Sequence, residues 1–209
     1  MREFSITAIS DRALSLHASS SAEARAFGDV LRMDDAWQDV VPGLNSVSVH
    51  FDPVALPMSE ARVRLLASVQ QVAIPDETVR AEPLRIPVHY GDFEGPDLDH
   101  VAGLLGMSAA KLIDLHTACL FEVEIMGFLP GFAYLGGLDP QLAVARRAEP
   151  RLRVPAGAVA IGGDRAGIYS LEGSGGWQVV GRTHHQLFDA AQADPFVLRP
   201  GMTIKFEAA

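Results

Sequence analysis

With 209 residues, 48% of them hydrophobic and 21% charged, the chain has the composition of an ordinary soluble globular protein with room for a real core. A net charge of −9 and a pI near 5.2 argue against nucleic acid or an anionic membrane as the main partner, because both need an accessible basic surface. A single cysteine, Cys119, excludes an intrachain disulfide and any multi-thiolate metal site.

The first segment, MREFSITAISDRALSL, lacks the continuous apolar core of a signal peptide. No window approaches the roughly 20 apolar residues of a membrane span, so a cytoplasmic protein is expected. Alternation from Phe4 to Ile9 predicts a short strand, and the cluster Ser19-Ser20-Ser21 predicts the cap of a helix with Phe27, Val30 and Leu31 on one face. NSVSVHFDP reads as a second strand with Val47, Val49 and Phe51 to one side. Ser59 is the expected N-cap of a second helix whose stripe is Leu65, Leu66, Val69 and Val72. Strands and helices in alternation predict a small α+β domain over residues 1–82, closing near Ile74-Pro75, with IPDETVRAEP as linker.

Residues 83–209 read differently. Leu84, Ile86, Val88 and Tyr90 alternate, although Pro87 suggests an edge strand or one passing between domains. A helix from Asp97 to Leu105 stops at Gly106, and Ser108 starts another with Ala109, Leu112, Ile113 and His116 on its apolar face. LFEVEI, RLRVP, AVAIGG, AGIYS, GWQVVG and PFVLRPGMTIKFE then follow as short strands broken by Gly and Pro, the pattern of a barrel or compact sandwich.

Several chemistries are excluded by motif. Lys111 and Lys205 are the only lysines and neither follows glycine, so a P-loop is absent; H-E-x-x-H is absent too, and Gln178 stands where Gly173-Ser174-Gly175 would need its third glycine. Of what remains, ARRAEPRLRVP puts Arg146, Arg147, Arg151 and Arg153 in one short stretch of an acidic chain. In a strand Arg147, Arg151 and Arg153 share parity, and two convergent guanidinium groups would bind a carboxylate or phosphate; the alternative is a solvated face or ion pairs with neighbours such as Glu149. His116, on the apolar face of its helix, is either a tuned base or a core histidine, with Cys119 three residues on. Tyr134 and Trp177, each set among glycines, are either stacking platforms for a ligand or plugs of a barrel end. His184-His185 is a weak metal signal, because adjacent side chains diverge and no third ligand is near in sequence.

The strings GFLPGFAYLGGL, RRAEPRLRVPAGAVAIGG, GIY, GGWQVVGRT and LFD stand in the order and at the spacing of the allophanate hydrolase subunit 1 family, which the chain resembles from residue 84 to 206. That family includes the B subunit of bacterial ATP-dependent 5-oxoprolinase and a sporulation-kinase inhibitor. The resemblance implies an α+β N-terminal domain followed by a mainly-β, cyclophilin-like barrel domain. It also implies partners: an allophanate hydrolase subunit 2-like protein, which is the C subunit of 5-oxoprolinase, and the A subunit that completes the enzyme. Carried over by position, it implies one wall of a cleft from Pro130, Gly131, Phe132 and Tyr134, a carboxylate or phosphate site from Arg147 and Arg151, and His116 as the family's helix histidine. Gly176, Trp177, Arg182 and Thr183 match the family's glycine-tryptophan and arginine-threonine string.

The chain also departs from the family pattern. Arg165-Ala166 replaces a glutamine-threonine pair, Gly173-Ser174 a serine-proline, and Ser170 and His184 two prolines; Arg165 would turn an amide contact into a fixed cation. The expected function is that of the B subunit of an ATP-dependent 5-oxoprolinase-type complex, inactive alone, with ATP on or shared with a partner protein. The alternatives are inhibition of a sensor histidine kinase and a role in an allophanate hydrolase or urea pathway. Arg147→Ala and Arg151→Ala are expected to abolish turnover yet spare folding, as exposed arginine truncations do.

Overall fold

The computed structural model describes residues 4–73 and 82–209. The expected domain end near Ile74-Pro75 and the linker over 74–83 fall outside the described residues, except for Glu82 and Pro83. The chain divides into two compact units, Met1–Val79 and Arg80–Ala209.

In the first unit, β1 (Ile6–Ser10), β2 (Ala13–His17), β3 (Asp39–Pro42) and β4 (Ser46–His50) form an antiparallel sheet in the order β1-β2-β4-β3. Helix α1 (Ser21–Leu31) starts at Ser20, whose side chain accepts from the Glu23 amide, as the serine cluster predicts. Phe27 and Leu31 are fully buried, whereas Val30 is exposed. Helix α2 (Met58–Val69) is capped by Pro57 rather than Ser59 and has no side-chain cap bond. Its Ala61, Leu65 and Val69 join Leu14, Leu16, Val47 and Val49 in one core.

In the second unit, β5 (Leu84–Tyr90), β6 (Phe121–Met126), β7 (Ala133–Gly136), β9 (Ala158–Gly162), β10 (Arg165–Ile168), β12 (Gln178–Arg182) and β13 (Thr203–Ala208) close a barrel in the order β10-β7-β6-β13-β5-β12-β9. Two shorter strands, β8 (Arg151–Val154) and β11 (Gly173–Gly175), pair as a separate ribbon. Helix α3 (Leu98–Leu104) packs on β12, and α4 (Ala109–Ala118) on β13, capped by Ser108 through the Lys111 amide. The edge position expected from Pro87 is not found. β5 is a closed-barrel strand that tolerates proline because β12 pairs with it only at His89 and Tyr90, while β13 pairs along its length.

Alternation along the strands separates two layers. Val159 and Ile161 of β9 face the barrel core with Ile86, Phe121, Leu135 and Phe206. Ala158 and Ala160 face the opposite way, toward Phe132, Tyr169 and Trp177. Among the described residues no helix is long and apolar enough to cross a membrane.

Candidate functional site

The segment GFLPGFAYLGG between β6 and β7 folds back sharply: Phe132 donates its amide to the Leu129 carbonyl, and Gly127 donates to that of Phe132. Glycine is required at Gly131, where φ is +78° and an added Cβ would lie 3.1 Å from Cβ of both Ser170 and Phe188. Ser170 Oγ donates to the Pro130 carbonyl at 2.5 Å. Pro130 and Gly131 line a cleft of about 440 Å³ together with Phe128, Phe196, Leu198 and Arg199.

Phe132 and Tyr134 turn instead into the aromatic layer outside the barrel wall. Ring centroids lie 4.8 Å apart for Phe132 and Tyr134, 4.9 Å for Phe132 and Tyr169, and 5.8 Å for Tyr134 and Trp177, all edge to face. Trp177 rests against Gly162 and Gly167, where an added Cβ would come within 2.6 and 3.2 Å of its ring. The Arg146 guanidinium covers it at 5.2 Å from the ring centroid. The indole is therefore enclosed, only 6% exposed. Beside this layer Arg165 donates to Glu124 at 2.7 Å and to Asp164 at 2.6 Å, so its charge is already met by two carboxylates.

Arg147 and Arg151 converge as the sequence suggests, but on a side chain of this chain. Asp97, only 3% exposed, accepts from Arg147 Nη1 at 3.1 Å, from Arg151 Nη1 and Nη2 at 2.7 Å each, and from the Val179 amide at 2.7 Å. The bidentate Arg151 contact is the geometry expected of guanidinium and carboxylate. Glu149 contributes its backbone carbonyl to Arg147 rather than an ion pair. The amide of Arg147 also donates to the Gly176 carbonyl at 2.7 Å, tying Gly176 to this loop. The expectation that both arginines are exposed is thereby corrected: their side chains are only 32% and 24% exposed, and they join β8 and the preceding loop to the start of α3. Arg153, despite shared parity with Arg151, pairs with Glu172 at the surface.

His116 lies apart from these groups. It is fully buried, its ring stacked on Phe206 at 5.0 Å and next to Phe121, with Nδ1 2.8 Å from the Tyr90 hydroxyl and Nε2 unpartnered. Burial pushes its pKa down to about 3, so it is neutral at ordinary pH. Cys119 does not pair with it. The thiol donates to the Leu115 carbonyl and accepts from the Asp139 amide, and burial raises its pKa. His116 thus shares no contact with Arg147 or Arg151, and the three do not form one catalytic group.

At the end of β12, Arg182 Nε donates to the Ala156 carbonyl and Nη1 to Glu94, while the Thr183 hydroxyl, 2% exposed, accepts from the His185 amide. Among the described residues no three His, Cys, Asp or Glu side chains could hold a metal ion. Asp97, Glu94 and Glu124 escape a reading of the sequence. Asp97 looks like an ordinary helix cap, and Glu124 like an outward strand residue, because their arginine partners are remote along the chain.

The family model for the carboxyltransferase domain, subdomain C and D, matches residues 4–198. The chain belongs to this family. It is 41% identical over 171 residues to the B subunit of 5-oxoprolinase from Escherichia coli O157:H7, covering 80% of this chain and 76% of that protein. Identity is 38% to the protein of the same name in Haemophilus influenzae, covering 87% and 84%, and 33% to that of Bacillus subtilis, covering 80% and 74%. Among solved structures, TTHA0988 superposes with a TM-score of 0.80 at 33% identity, covering 95% of this chain but 40% of that longer one. Conserved uncharacterized protein PH0987 of Pyrococcus horikoshii gives 0.60 at 31% identity, covering 98% and 97%. The Kluyveromyces lactis urea carboxylase, at 17% identity and a TM-score of 0.78, covers 99% of this chain and 22% of its own and shows the fold alone.

Proposed function

We propose that the chain is the B subunit of an ATP-dependent 5-oxoprolinase-type complex, opening the lactam of 5-oxo-L-proline to L-glutamate with its partner proteins. The observation that carries this reading is the match to three relatives named as the B subunit of 5-oxoprolinase, at 33%, 38% and 41% identity over most of this chain. The geometry suits one component of a complex better than a self-contained hydrolase. Arg147 and Arg151 are bound to Asp97, and His116 is sealed in the core, so the residues named from sequence supply binding and scaffolding rather than a nucleophile and its base.

An unstrained lactam resists water, and ATP, when bound, supplies the activation of its carbonyl. Lys111 on α4 and Lys205 on β13 build no phosphate cradle, so we assign the nucleotide to a site on, or shared with, a partner. The partners in this reading are an allophanate hydrolase subunit 2-like protein, as the C subunit, together with the A subunit. Support for additional protein beside this fold comes from TTHA0988, in which the matched region is less than half of one chain. The test is ATP-dependent glutamate release from 5-oxo-L-proline by the chain alone and mixed with candidate partners. Release only in the mixture is expected, whereas none from folded, associated proteins would overturn the reading.

A further inference from the structure

The cleft beside the β6–β7 loop takes no part in the function proposed above, yet it is a formed cavity. Its volume is about 440 Å³, and Phe128, Leu129, Phe196, Leu198 and Pro200 give it apolar walls. Among the described residues that line it, Arg199 is the one that carries a charge. In a chain of net charge −9, a lone cation at the cleft sets the sign of what it attracts.

Both walls are held from behind. On one side Phe128 has φ of +72°, a left-handed conformation that a bulky side chain adopts only at a cost in energy. Edge-to-face contacts with Phe132 at 5.6 Å and Tyr169 at 6.4 Å fix its ring, yet 60% of the residue stays exposed at the rim. Strain of this kind collects where a ligand is clamped. On the other side Phe196 bridges Phe188 with ring centroids 5.2 Å apart, Leu198 is fully buried, and the Gly201 amide donates to the Val123 carbonyl of β6.

Arg199 pairs with Asp194 through Nη2, but the two side chains are 57% and 64% exposed, so water competes with the contact. Its Nε and Nη1 groups bond nothing else among the described residues, which leaves donors for a carboxylate. At roughly the 30 Å³ that one water-sized group occupies, the cleft takes about 15 non-hydrogen atoms, the size of a small metabolite. An extended peptide suits it less. β6 and β7 are each paired on both sides in the closed barrel, so neither offers an open strand edge for main-chain hydrogen bonds.

We propose that this cleft binds an amphipathic monocarboxylate, with an acyl or aryl body of about eight to twelve carbons against the apolar walls and its carboxylate on Arg199. Such a ligand is distinct from 5-oxo-L-proline, which is too small and too polar to cover these walls. The site therefore stands or falls independently of the lactam reaction.

The test follows the backbone amide resonances of Gly127, Gly131 and Leu198 while the full chain is titrated with octanoate, with 1-octanol, which keeps the tail but not the charge, and with acetate, which keeps the charge alone. Octanoate should shift all three with a Kd about tenfold below that of 1-octanol, the share of one charged hydrogen bond, and acetate should shift none. Arg199→Leu should raise the octanoate Kd about tenfold and keep that of 1-octanol within about threefold. An added Cβ at Gly127 meets nothing within 4 Å, so Gly127→Leu occupies space at the wall without displacing a neighbour and should weaken both ligands. Phe128→Gly, which removes one wall together with its strain, should do the same and serves where the leucine variant fails to fold. Equal Kd values for octanoate and 1-octanol, or an octanoate Kd unchanged by Arg199→Leu, would overturn the proposal. So would octanoate that leaves the three amides unmoved, or shifts that persist undiminished in the Gly127 and Phe128 variants.

Discussion

Replacing Asp97 by alanine removes one carboxylate and strands three partners. The Val179 amide is buried where it meets Asp97, so its lost bond costs about 1–3 kcal/mol. The Arg147 and Arg151 side chains are 32% and 24% exposed, so water recovers part of their loss, and about 1–2 kcal/mol remains for the pair. The total is about 2–5 kcal/mol, with Asp97→Asn about half of that because it keeps the volume and one acceptor. Arg151→Ala should cost more than Arg147→Ala, since Arg151 binds both carboxylate oxygens. Of the two tryptophans only Trp177 lies in the barrel unit, so urea unfolding followed by fluorescence in a Trp37→Phe background reads that unit by itself. An Asp97→Ala loss below about 1 kcal/mol at unchanged m would refute the assignment of Asp97 as the organiser of this loop.

Folded His116 holds its pKa near 3 against an ordinary 6.5, so the unfolded chain binds a proton that the folded chain refuses. Its contribution to stability is whole above pH 6.5 and falls as pH drops toward 3, by about 1.4 kcal/mol per unit, and His116→Phe should remove that part of the slope. Equal slopes for both proteins between pH 6 and 4.5 would contradict this. Gly162→Ala should push the Trp177 ring off the wall, costing about 1–3 kcal/mol with a red-shifted emission; an unshifted spectrum would show that the contact gives way elsewhere. Cys119, 9% exposed and with its pKa raised by burial, should react with a thiol reagent only after unfolding, a contrast that rapid labelling of the native chain would disprove.

Helices with serine caps and strands with clear alternation were legible in the sequence. Ser20 and Ser108 mark helix starts because their side chains satisfy amides three residues on, a local contact. Strands β2 and β3 were not legible. The turn before β2 is Asp11-Arg12, without the glycine or asparagine that signals a hairpin, and Pro42 at the end of β3 speaks against a strand. In the candidate site, the arginine cluster and the glycine-aromatic strings stood out by composition. What they touch did not, because Arg151 meets Asp97, Arg165 meets Glu124 and Arg182 meets Glu94 only once the barrel has closed. Local pattern identifies a charged residue, whereas its partner is fixed by strand register.

β5 and β13 run parallel, with Leu84 opposite Ile204 and Val88 opposite Ala208, and β13 also pairs with β6. During synthesis the earliest strand of the barrel must therefore wait for the last one before the wall is sealed. Until then β5 and β6 both offer open edges rich in Ile86, Val88, Phe121 and Val123, the kind of edge that recruits other chains. Losing residues 203–208 to a protease or a premature stop would leave both edges without their shared partner, turning a closed wall into two sticky borders.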